Sequence, residues 1–208
     1  MASSLEYLSS KYHLDKNIVS GHHNYIPGYT NLFESIRNEV NNVLEIGIGS
    51  VENGGMTHVT SLGYKTGNSL KCWSEYFPNA KINGIDIYEH KELNTDKIQT
   101  FVADQSNEQQ LKNVINLIND PLDIIIDDGS HNGADQVFSF MYLHKFLSKN
   151  GIYVIEDIQP ENIDNFKDLS NFPSYFKEYI LNNFEVKYFD TRYVKNRADD
   201  FMVAFIRK

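Results

Sequence analysis

Two acidic clusters, each placed at the end of a short apolar run, are the groups of this sequence best suited to chemistry. Residues 127–131 (Asp-Asp-Gly-Ser-His) follow one run, and the pair Glu156-Asp157 follows the next. Both runs are rich in β-branched residues, as buried parallel strands are. Ligands of open α/β sheets bind just beyond the carboxyl ends of such strands, so both clusters are predicted to face one site.

Neighbouring strands would bring Asp128, Glu156 and Asp157 together, with His131 beside them. Carboxylates held this close repel one another unless a cation joins them. Ligand sets made of oxygen favour Mg²⁺, Mn²⁺ or Ca²⁺ over Zn²⁺. We therefore predict that the three acids bind a divalent cation, and that His131 and Asp128 are catalytic, with His131 as the general base.

A glycine-rich turn follows the first predicted strand of the sheet, at residues 43–46. Gly47 and Gly49 let the backbone turn tightly and approach a ligand, although such a pair is equally typical of an ordinary turn. Residues 51–67 separate these glycines from the next predicted helix. The helix N-terminus that normally receives a pyrophosphate is therefore missing, and a ligand without a pyrophosphate fits better than NAD.

Polar residues also end the second and third predicted strands. Asp86 is placed to accept hydrogen bonds from two ribose hydroxyls, and Asp104 and Gln105 are placed to bond an adenine edge. A capping or solvated acid is an equal alternative for Asp104. Glu45 ends the first strand. Polar groups at three successive strand ends favour a nucleoside-type ligand.

Composition limits the function classes. The chain has 208 residues, of which 41% are hydrophobic and 23% are charged, as in a soluble globular domain. A single cysteine, Cys72, excludes an internal disulfide and suits a reducing compartment. The net charge of −9 disfavours nucleic acid as a partner. No membrane span or signal peptide is visible, so we expect a cytoplasmic protein that binds no membrane and whose size permits a homodimer.

Strands and helices alternate from residue 42 onward, which predicts an α/β fold with a Rossmann-like, doubly wound, mostly parallel sheet. The last two strands are consecutive and predict an antiparallel C-terminal hairpin. The expected strands are 43–46, one within 80–87, 98–103, 122–127, 151–156, 184–190 and 200–207. The expected helices are 5–12, 29–39, 69–77, 107–118, 133–148 and 174–183, and residues 22–29 are expected to be a loop.

These motifs together resemble the class I S-adenosylmethionine-dependent methyltransferases. More narrowly, the chain resembles metal-dependent sugar O-methyltransferases that act on deoxysugars of macrolides, rhamnosyl O-methyltransferases, and methyltransferase domains of large DNA viruses that modify glycans. The resemblance covers roughly residues 5–160. Its specific part is the Asp-Asp-Gly-Ser-His segment combined with Ile155-Glu156-Asp157. Residues 14–16 and 22–25 resemble an N-terminal segment that helps close the active site of that family.

The resemblance implies a class I methyltransferase fold in one domain, 1–208, with an N-terminal segment (1–40) that covers the active site and a core (41–208). It implies S-adenosylmethionine and Mg²⁺ as cofactors, with Mn²⁺ or Ca²⁺ as substitutes. The acceptor would be a sugar hydroxyl of a small molecule or glycan, with 2-O-methylation of a rhamnose-type sugar expected, and His22 or His23 would face it. The cofactor-binding residues that it implies are Glu45, Gly47, Ser69, Asp86, Asp104 and Gln105, and we expect Gly49 and Asp127 to bind the cofactor as well.

Three alternatives stay open. A catechol would offer the cation the same pair of neighbouring oxygens, although catechol enzymes usually carry Asp-Asn where this chain has Glu156-Asp157. Cephalosporin-hydroxylase-like proteins share the Asp-Asp-Gly-Ser-His motif, but no 2-His-1-carboxylate iron site is evident. A non-catalytic subunit that binds cofactor or glycan would have no physical need for three clustered carboxylates.

Overall fold

The computed structural model describes residues 3–19, 23–52 and 56–208, and seven strands form its central sheet. The strands are β1 (Asn42–Ile46), β2 (Lys81–Asp86), β3 (Ile98–Val102), β4 (Leu122–Asp127), β5 (Leu147–Ile155), β6 (Phe184–Asp190) and β7 (Phe201–Arg207). The helices are α1 (Leu5–Lys11), α2 (Ile26–Phe33), α3 (Asn68–Tyr76), α4 (Glu108–Ile118), α5 (Gly133–Leu143), α6 (Ile163–Lys167), α7 (Ser174–Asn183) and α8 (Arg192–Lys195). Short 3₁₀ helices lie at Thr57–Leu62, Lys91–Leu93, His144–Phe146 and Pro160–Asn162.

The strand order β3-β2-β1-β4-β5-β7-β6 confirms the predicted doubly wound sheet with an antiparallel C-terminal hairpin. Strands β1 to β5 pair in parallel, whereas β7 is antiparallel to both of its neighbours. The order reverses between β1 and β4, and a ligand crevice is expected where such a sheet reverses. In register, Ile46 pairs with Asp127 and Asp127 pairs with Ile155, so the residues that follow these three strands are neighbours.

Side-chain alternation divides the strand ends between the two faces of the sheet. One face carries Ile126 and Val154 and packs against α1, α2 and α3. The opposite face carries Ile125 and Tyr153 and packs against α4, α5 and α7. By this alternation the side chain of Asp127, the last residue of β4, lies on the second face. Continued by one residue, the alternation places Asp128 on the first face.

Residues of the N-terminal segment cover the first face. Leu8, Tyr29 and Phe33 are fully buried there against Trp73 of α3. Helix α2 begins at Ile26 and ends before residue 34, so the predictions of a loop over 22–29 and a helix over 29–39 were wrong in their boundaries. The reason is Pro27, which stands in the first helical turn, where its missing N–H costs nothing. His22 lies outside the described residues.

The other boundary error lies before β5. Helix α5 ends at Leu143 and β5 begins at Leu147, so the predicted helix 133–148 was too long and the predicted strand 151–156 began too late. The pairing of β4 with β5 shifts register between Leu122 and Ile124, and Asn150 has a left-handed φ of 62°. The first residues of β5 are mostly polar and irregularly paired, so the sequence does not show the alternating pattern of a strand there. No helix among the described residues is long and apolar enough to cross a membrane.

Candidate active site

Two tight turns at the carboxyl ends of β4 and β5 carry the acidic clusters. The amide of Asp128 donates to the carbonyl of Ile46 at 2.9 Å, and the amide of Glu156 donates to the carbonyl of Asp127 at 2.9 Å. His131 and Asp157 then take left-handed φ values of 55° and 50°. Such values are uncommon outside glycine and concentrate at functional sites, and here they turn both side chains toward one cavity.

The cavity wall brings together Asp128, His131 and Asp157, whose ligand atoms all lie within 4.8 Å of one another. Nε2 of His131 is 3.2 Å from Oδ1 of Asp128 and 3.5 Å from Oδ2 of Asp157. Glu156, the third acid of the predicted metal site, has a buried side chain that does not line this cavity. The two carboxylates offer the oxygen ligands that a hard divalent cation prefers, and the imidazole lies beside them.

The charge that balances these acids comes from Lys16, which the sequence reasoning did not include among the site residues. Its Nζ lies 3.1 Å from Oε2 of Glu156 and 3.9 Å from Oε1 of Glu45, and it also contacts Oδ2 of Asp128. Lys16 is itself buried. Burial lowers its pKa, but the surrounding carboxylates outweigh this and raise the pKa well above its ordinary value.

Three further residues of the N-terminal segment hold the acids in place. The hydroxyl of Tyr29 donates to Oε1 of Glu156, and that of Tyr25 donates to Oδ1 of Asp157 at 2.5 Å. His23, stacked on Tyr25, places Nδ1 3.2 Å from Asp157 and 3.0 Å from Asp200. Local sequence patterns could not find these contacts, because more than 120 residues separate most of the partners.

Asp128 and His131 form an ion pair on the cavity wall. Burial lowers the pKa of His131, but the hydrogen bond and charge of Asp128 outweigh it and raise the pKa to about 9. Burial raises the pKa of Asp128, yet Lys16 and then His131 together hold that pKa well below its usual range. For Asp157 burial dominates, and its pKa is raised. Without a cation the imidazole is therefore protonated at neutral pH.

The same cavity, of about 500 Å³, extends over the glycine-rich turn after β1. Gly47 and Gly49 have φ values of 88° and 73°, which favour glycine. A Cβ atom on Gly47 would lie 2.0 Å from the carbonyl oxygen of Asp128, so glycine is required for the turn to pack against the end of β4. Asp86 is fixed by the amides of Ile48 and Tyr88, each 3.0 Å from one of its carboxylate oxygens.

Not all of the predicted cofactor residues reach the cavity. Six of the eight line its wall: Gly47, Gly49, Ser69, Asp86, Asp104 and Gln105. Glu45 lies behind Ser69, whose hydroxyl donates to it at 2.7 Å. Burial raises the pKa of Glu45 to about 7, although Lys16 opposes the shift.

Asp127 lies on the opposite face of the sheet, away from the cavity. It accepts hydrogen bonds from Nε2 of Gln105 at 3.0 Å and from the hydroxyls of Ser139 and Tyr153. Burial raises its pKa to about 6, and the bonds from Ser139 and Gln105 oppose the rise. The other end of Gln105 accepts from the amide of Ser130 at 2.7 Å, so Asp127 holds Gln105 in place rather than lining the cavity itself.

Asp104, predicted either to bond an adenine edge or to be a capping or solvated acid, is an exposed residue at the cavity wall and does not cap the following helix. It lines the cavity, and its Oδ1 also accepts from the amide of Ser106 at 2.8 Å and from that residue's hydroxyl at 2.6 Å. These bonds lower its pKa. The cap of the following helix is Asn107, whose side chain accepts from the amide of Gln110. Asp104 therefore stabilises its own turn and still presents an edge to the cavity.

Comparison with known proteins adds relatives of known activity, while no family model matches the chain. It is 35% identical over 139 residues to the 8-demethyl-8-alpha-L-rhamnosyl tetracenomycin-C 2'-O-methyltransferase of Streptomyces olivaceus, covering 67% of this chain and 34% of the relative. It is 35% identical over 158 residues to the mycinamicin VI 2''-O-methyltransferase of Micromonospora griseorubida, covering 74% and 36%. The chain thus spans about a third of the length of the curated relatives that it matches.

Solved structures agree with these relatives. The MycE methyltransferase of the mycinamycin biosynthetic pathway, in complex with Mg, SAH and mycinamycin VI, superposes with a TM-score of 0.73 and 26% identity, covering 99% of this chain and 53% of that one. The O-methyltransferase TomG of Streptomyces achromogenes, in complex with SAM, gives a TM-score of 0.56 at 13% identity over 97% of this chain and 90% of its own, which shows a shared fold alone.

Proposed function

This chain belongs to the class I S-adenosylmethionine-dependent methyltransferases, as a relative of bacterial sugar O-methyltransferases, and we propose that it methylates a sugar hydroxyl in a Mg²⁺-dependent reaction. The observation that carries the proposal is the joint placement of two groups of residues on one cavity. Asp128, His131 and Asp157 form a cation-type cluster, and Gly47 and Asp86 line the nucleoside-type part of the same wall.

The residues present fit S-adenosylmethionine. Asp86 is held by two backbone amides and retains lone pairs for ribose hydroxyls, and Gln105, fixed at both ends, lines the wall where the adenine would lie. The glycine-rich turn leaves its backbone open to close approach. S-adenosylmethionine, when bound, supplies an electrophilic methyl group on a sulfonium.

The acids fit Mg²⁺. We propose Asp128, Glu156 and Asp157 as the residues that hold it. We include Glu156 among the metal ligands because its carboxylate and that of Asp128 both contact the ammonium of Lys16. The two carboxylates are therefore close enough together to bind one cation. Mg²⁺, when bound, supplies a positive charge that lowers the pKa of neighbouring hydroxyl groups.

We propose that His131 takes the proton of the acceptor hydroxyl at Nδ1, the ring nitrogen that does not contact Asp128. Asp128 orients the ring through its contact of 3.2 Å, and the side chain, about a third exposed, is open to a ligand. As the acceptor oxygen forms its bond to the methyl carbon, the bond from that carbon to sulfur breaks and the sulfur keeps the electron pair. The sulfonium thereby loses its charge, so the main task of the protein is to hold oxygen, methyl and sulfur in line.

We propose a rhamnose-type sugar of a small molecule or glycan as the acceptor, and its 2-hydroxyl as the position methylated. The names of two relatives, which specify 2'-O- and 2''-O-methyl transfer, support this position. The net charge of −9 supports an acceptor other than nucleic acid. We also propose that residues 1–40 close over the site of a single domain, since Lys16, Tyr25 and Tyr29 all contact its acids. A homodimer stays a prediction.

An acceptor panel tests the proposal. The protein is incubated with methyl-labelled S-adenosylmethionine, Mg²⁺ and one acceptor at a time: rhamnosides, other deoxyhexosides and a catechol. Label transfer to a rhamnoside is the expected result, and mass spectrometry of the product gives the position. Transfer to the catechol alone would move the protein to the catechol class. Cofactor binding without transfer to any acceptor would contradict the assignment as an enzyme acting on these sugars.

A further inference from the structure

An open groove adjoins the active-site cavity at His131. The groove measures about 550 Å³, and Ser130 and His131 line both spaces. Gly47, Asp86 and Gln105, which are proposed to contact the cofactor, line the cavity and not the groove. An acceptor whose reacting hydroxyl lies at His131 therefore has room to extend into the groove.

The groove is polar along its length. Two turns build it, one at residues 130–134 and one at residues 159–162. Beside the shared Ser130 and His131, they contribute the side chains of Asn132, Gln159, Glu161 and Asn162. Within the described ranges, no Phe, Tyr, Trp or large aliphatic side chain lines it. Amides and hydroxyls both donate and accept hydrogen bonds, as sugar hydroxyls do, whereas an apolar aglycone would find little surface to pack against.

One of these side-chain amides stands on a fixed turn and has no hydrogen-bond partner among the described residues. The backbone amide of Asn162 donates to the carbonyl of Gln159 at 2.8 Å, which fixes the turn. The side chains of Asn132 and Gln159 bond to backbone groups, at Ala134 and Asp157. The half-buried side chain of Asn162 makes no hydrogen bond to any described part of the chain.

A glycine makes room for that amide. A Cβ atom added at Gly133 would lie 2.7 Å from Nδ2 of Asn162, closer than side chains approach. Gly133 is the first residue of α5, where other residues would be accepted by the helix itself. A side chain at position 133 would therefore displace the amide of Asn162 from its place in the groove.

We propose that this groove binds a second sugar of the acceptor, so that the substrate is an oligosaccharide or glycan chain, with the methylated sugar at His131 and its neighbour against Asn162. The inference rests on the proposed function, because it takes the reacting hydroxyl to lie at His131. It goes further in naming a subsite and in preferring a carbohydrate chain over a sugar on an apolar aglycone.

Binding without catalysis tests the subsite. Saturation-transfer NMR, with S-adenosylhomocysteine and Mg²⁺ present, gives the affinities of methyl rhamnoside, p-nitrophenyl rhamnoside and a set of differently linked dirhamnosides. We expect at least one dirhamnoside to bind about tenfold more tightly than methyl rhamnoside, the gain that one or two new hydrogen bonds provide. Asn162→Ala and Gly133→Ala should each remove most of that gain and leave methyl rhamnoside unchanged.

The matched control is Asn165→Ala, an exposed asparagine on α6 that does not line the groove. It should leave all affinities unchanged. Equal affinities for methyl rhamnoside and every dirhamnoside would overturn the subsite, as would a preference for the p-nitrophenyl rhamnoside that Asn162→Ala leaves intact. If the dirhamnoside preference holds but no methyl transfer to any acceptor is detected, the subsite stands as a glycan-binding site and the proposed reaction is what fails.

Discussion

Nζ of Lys16 lies 3.1 Å from Oε2 of Glu156, and both side chains are almost completely shielded from water. The same ammonium contacts Asp128, so one residue of the N-terminal segment neutralises acids at the ends of two strands. A buried carboxylate that loses its only cation keeps a large desolvation cost. Lys16 therefore joins the N-terminal segment to the site.

Replacing Lys16 by methionine should lower the free energy of unfolding by about 3–5 kcal/mol, the cost of leaving one partner of a buried pair uncompensated. Urea denaturation measures it. The control is Lys11→Met, which breaks an exposed, solvent-screened pair with Glu75 and should cost far less. Equal losses of unfolding free energy in the two variants would show that the buried contact contributes no more to stability than the exposed one.

His131→Gln should separate binding from chemistry. The side chain lies beyond the nucleoside-type part of the cavity, so calorimetry should find the affinity for S-adenosylhomocysteine within about twofold of the wild type. Turnover should fall by about 10²–10⁴, the range that a positioned base contributes. Full turnover in this variant would remove His131 from the mechanism.

Cation binding should depend on Asp157 more than on another acid of the same cavity. Mn²⁺ titration followed by electron paramagnetic resonance, without any acceptor, should show at least about tenfold weaker binding for Asp157→Asn. Asp199→Asn is the matched control, because Asp199 also lines the cavity but pairs with Arg197, outside the cluster. Equal weakening in both variants would mean that Mn²⁺ responds only to overall charge.

The pH dependence of stability should report Asp127. Its pKa is about 6 in the fold and 3.8 as the ordinary value, so between these pH values the folded state binds more protons than the unfolded state. Stability from this group is therefore fully present below pH 3.8 and is lost as the pH rises through about 6, by roughly 3 kcal/mol. Denaturation from pH 4 to 6.5 should show a smaller decline for Asp127→Asn. Asp104→Asn, at an exposed turn, should not flatten the decline.

Cofactor affinity should depend on Asp86. Asp86→Ala removes both acceptor oxygens proposed for the ribose and frees the amides of Ile48 and Tyr88. We expect the dissociation constant of S-adenosylhomocysteine to rise by about 10–100-fold, as for the loss of one or two charge-assisted hydrogen bonds. Asp104→Ala should have a smaller effect because Asp104 is exposed to water, whereas Asp86 is half-buried, where a hydrogen bond is stronger. A larger loss of affinity for Asp104→Ala than for Asp86→Ala would contradict the proposed position of the ribose at Asp86.

The sheet and its two acidic ends were predictable from the sequence, because apolar runs with β-branched residues mark buried strands locally. The placement of Asp127 was also within reach. Side chains alternate along β4, so Asp127 lies on the same face of the sheet as Ile125. Asp128 lies on the other face, which borders the cavity, and the alternation alone therefore places Asp127 behind the cavity.

The contacts from the N-terminal segment were not predictable in the same way. Lys16 and Glu156 are 140 residues apart, and no local pattern pairs them. The one available signal was electrostatic, since several buried carboxylates require nearby positive charge. The start of α2 falls inside the loop predicted over 22–29 because Pro27 lies in the first turn of the helix, where proline is common.

The most direct test of the central claim is the cation dependence of methyl transfer to a rhamnoside. The rate is measured in excess EDTA and again after Mg²⁺ is added back beyond the chelator, for the wild type and for Asp157→Asn. The wild type should lose transfer in EDTA and recover it with Mg²⁺, and Asp157→Asn should recover little. Undiminished transfer in EDTA would contradict a reaction that depends on a cation held by the acids of β4 and β5.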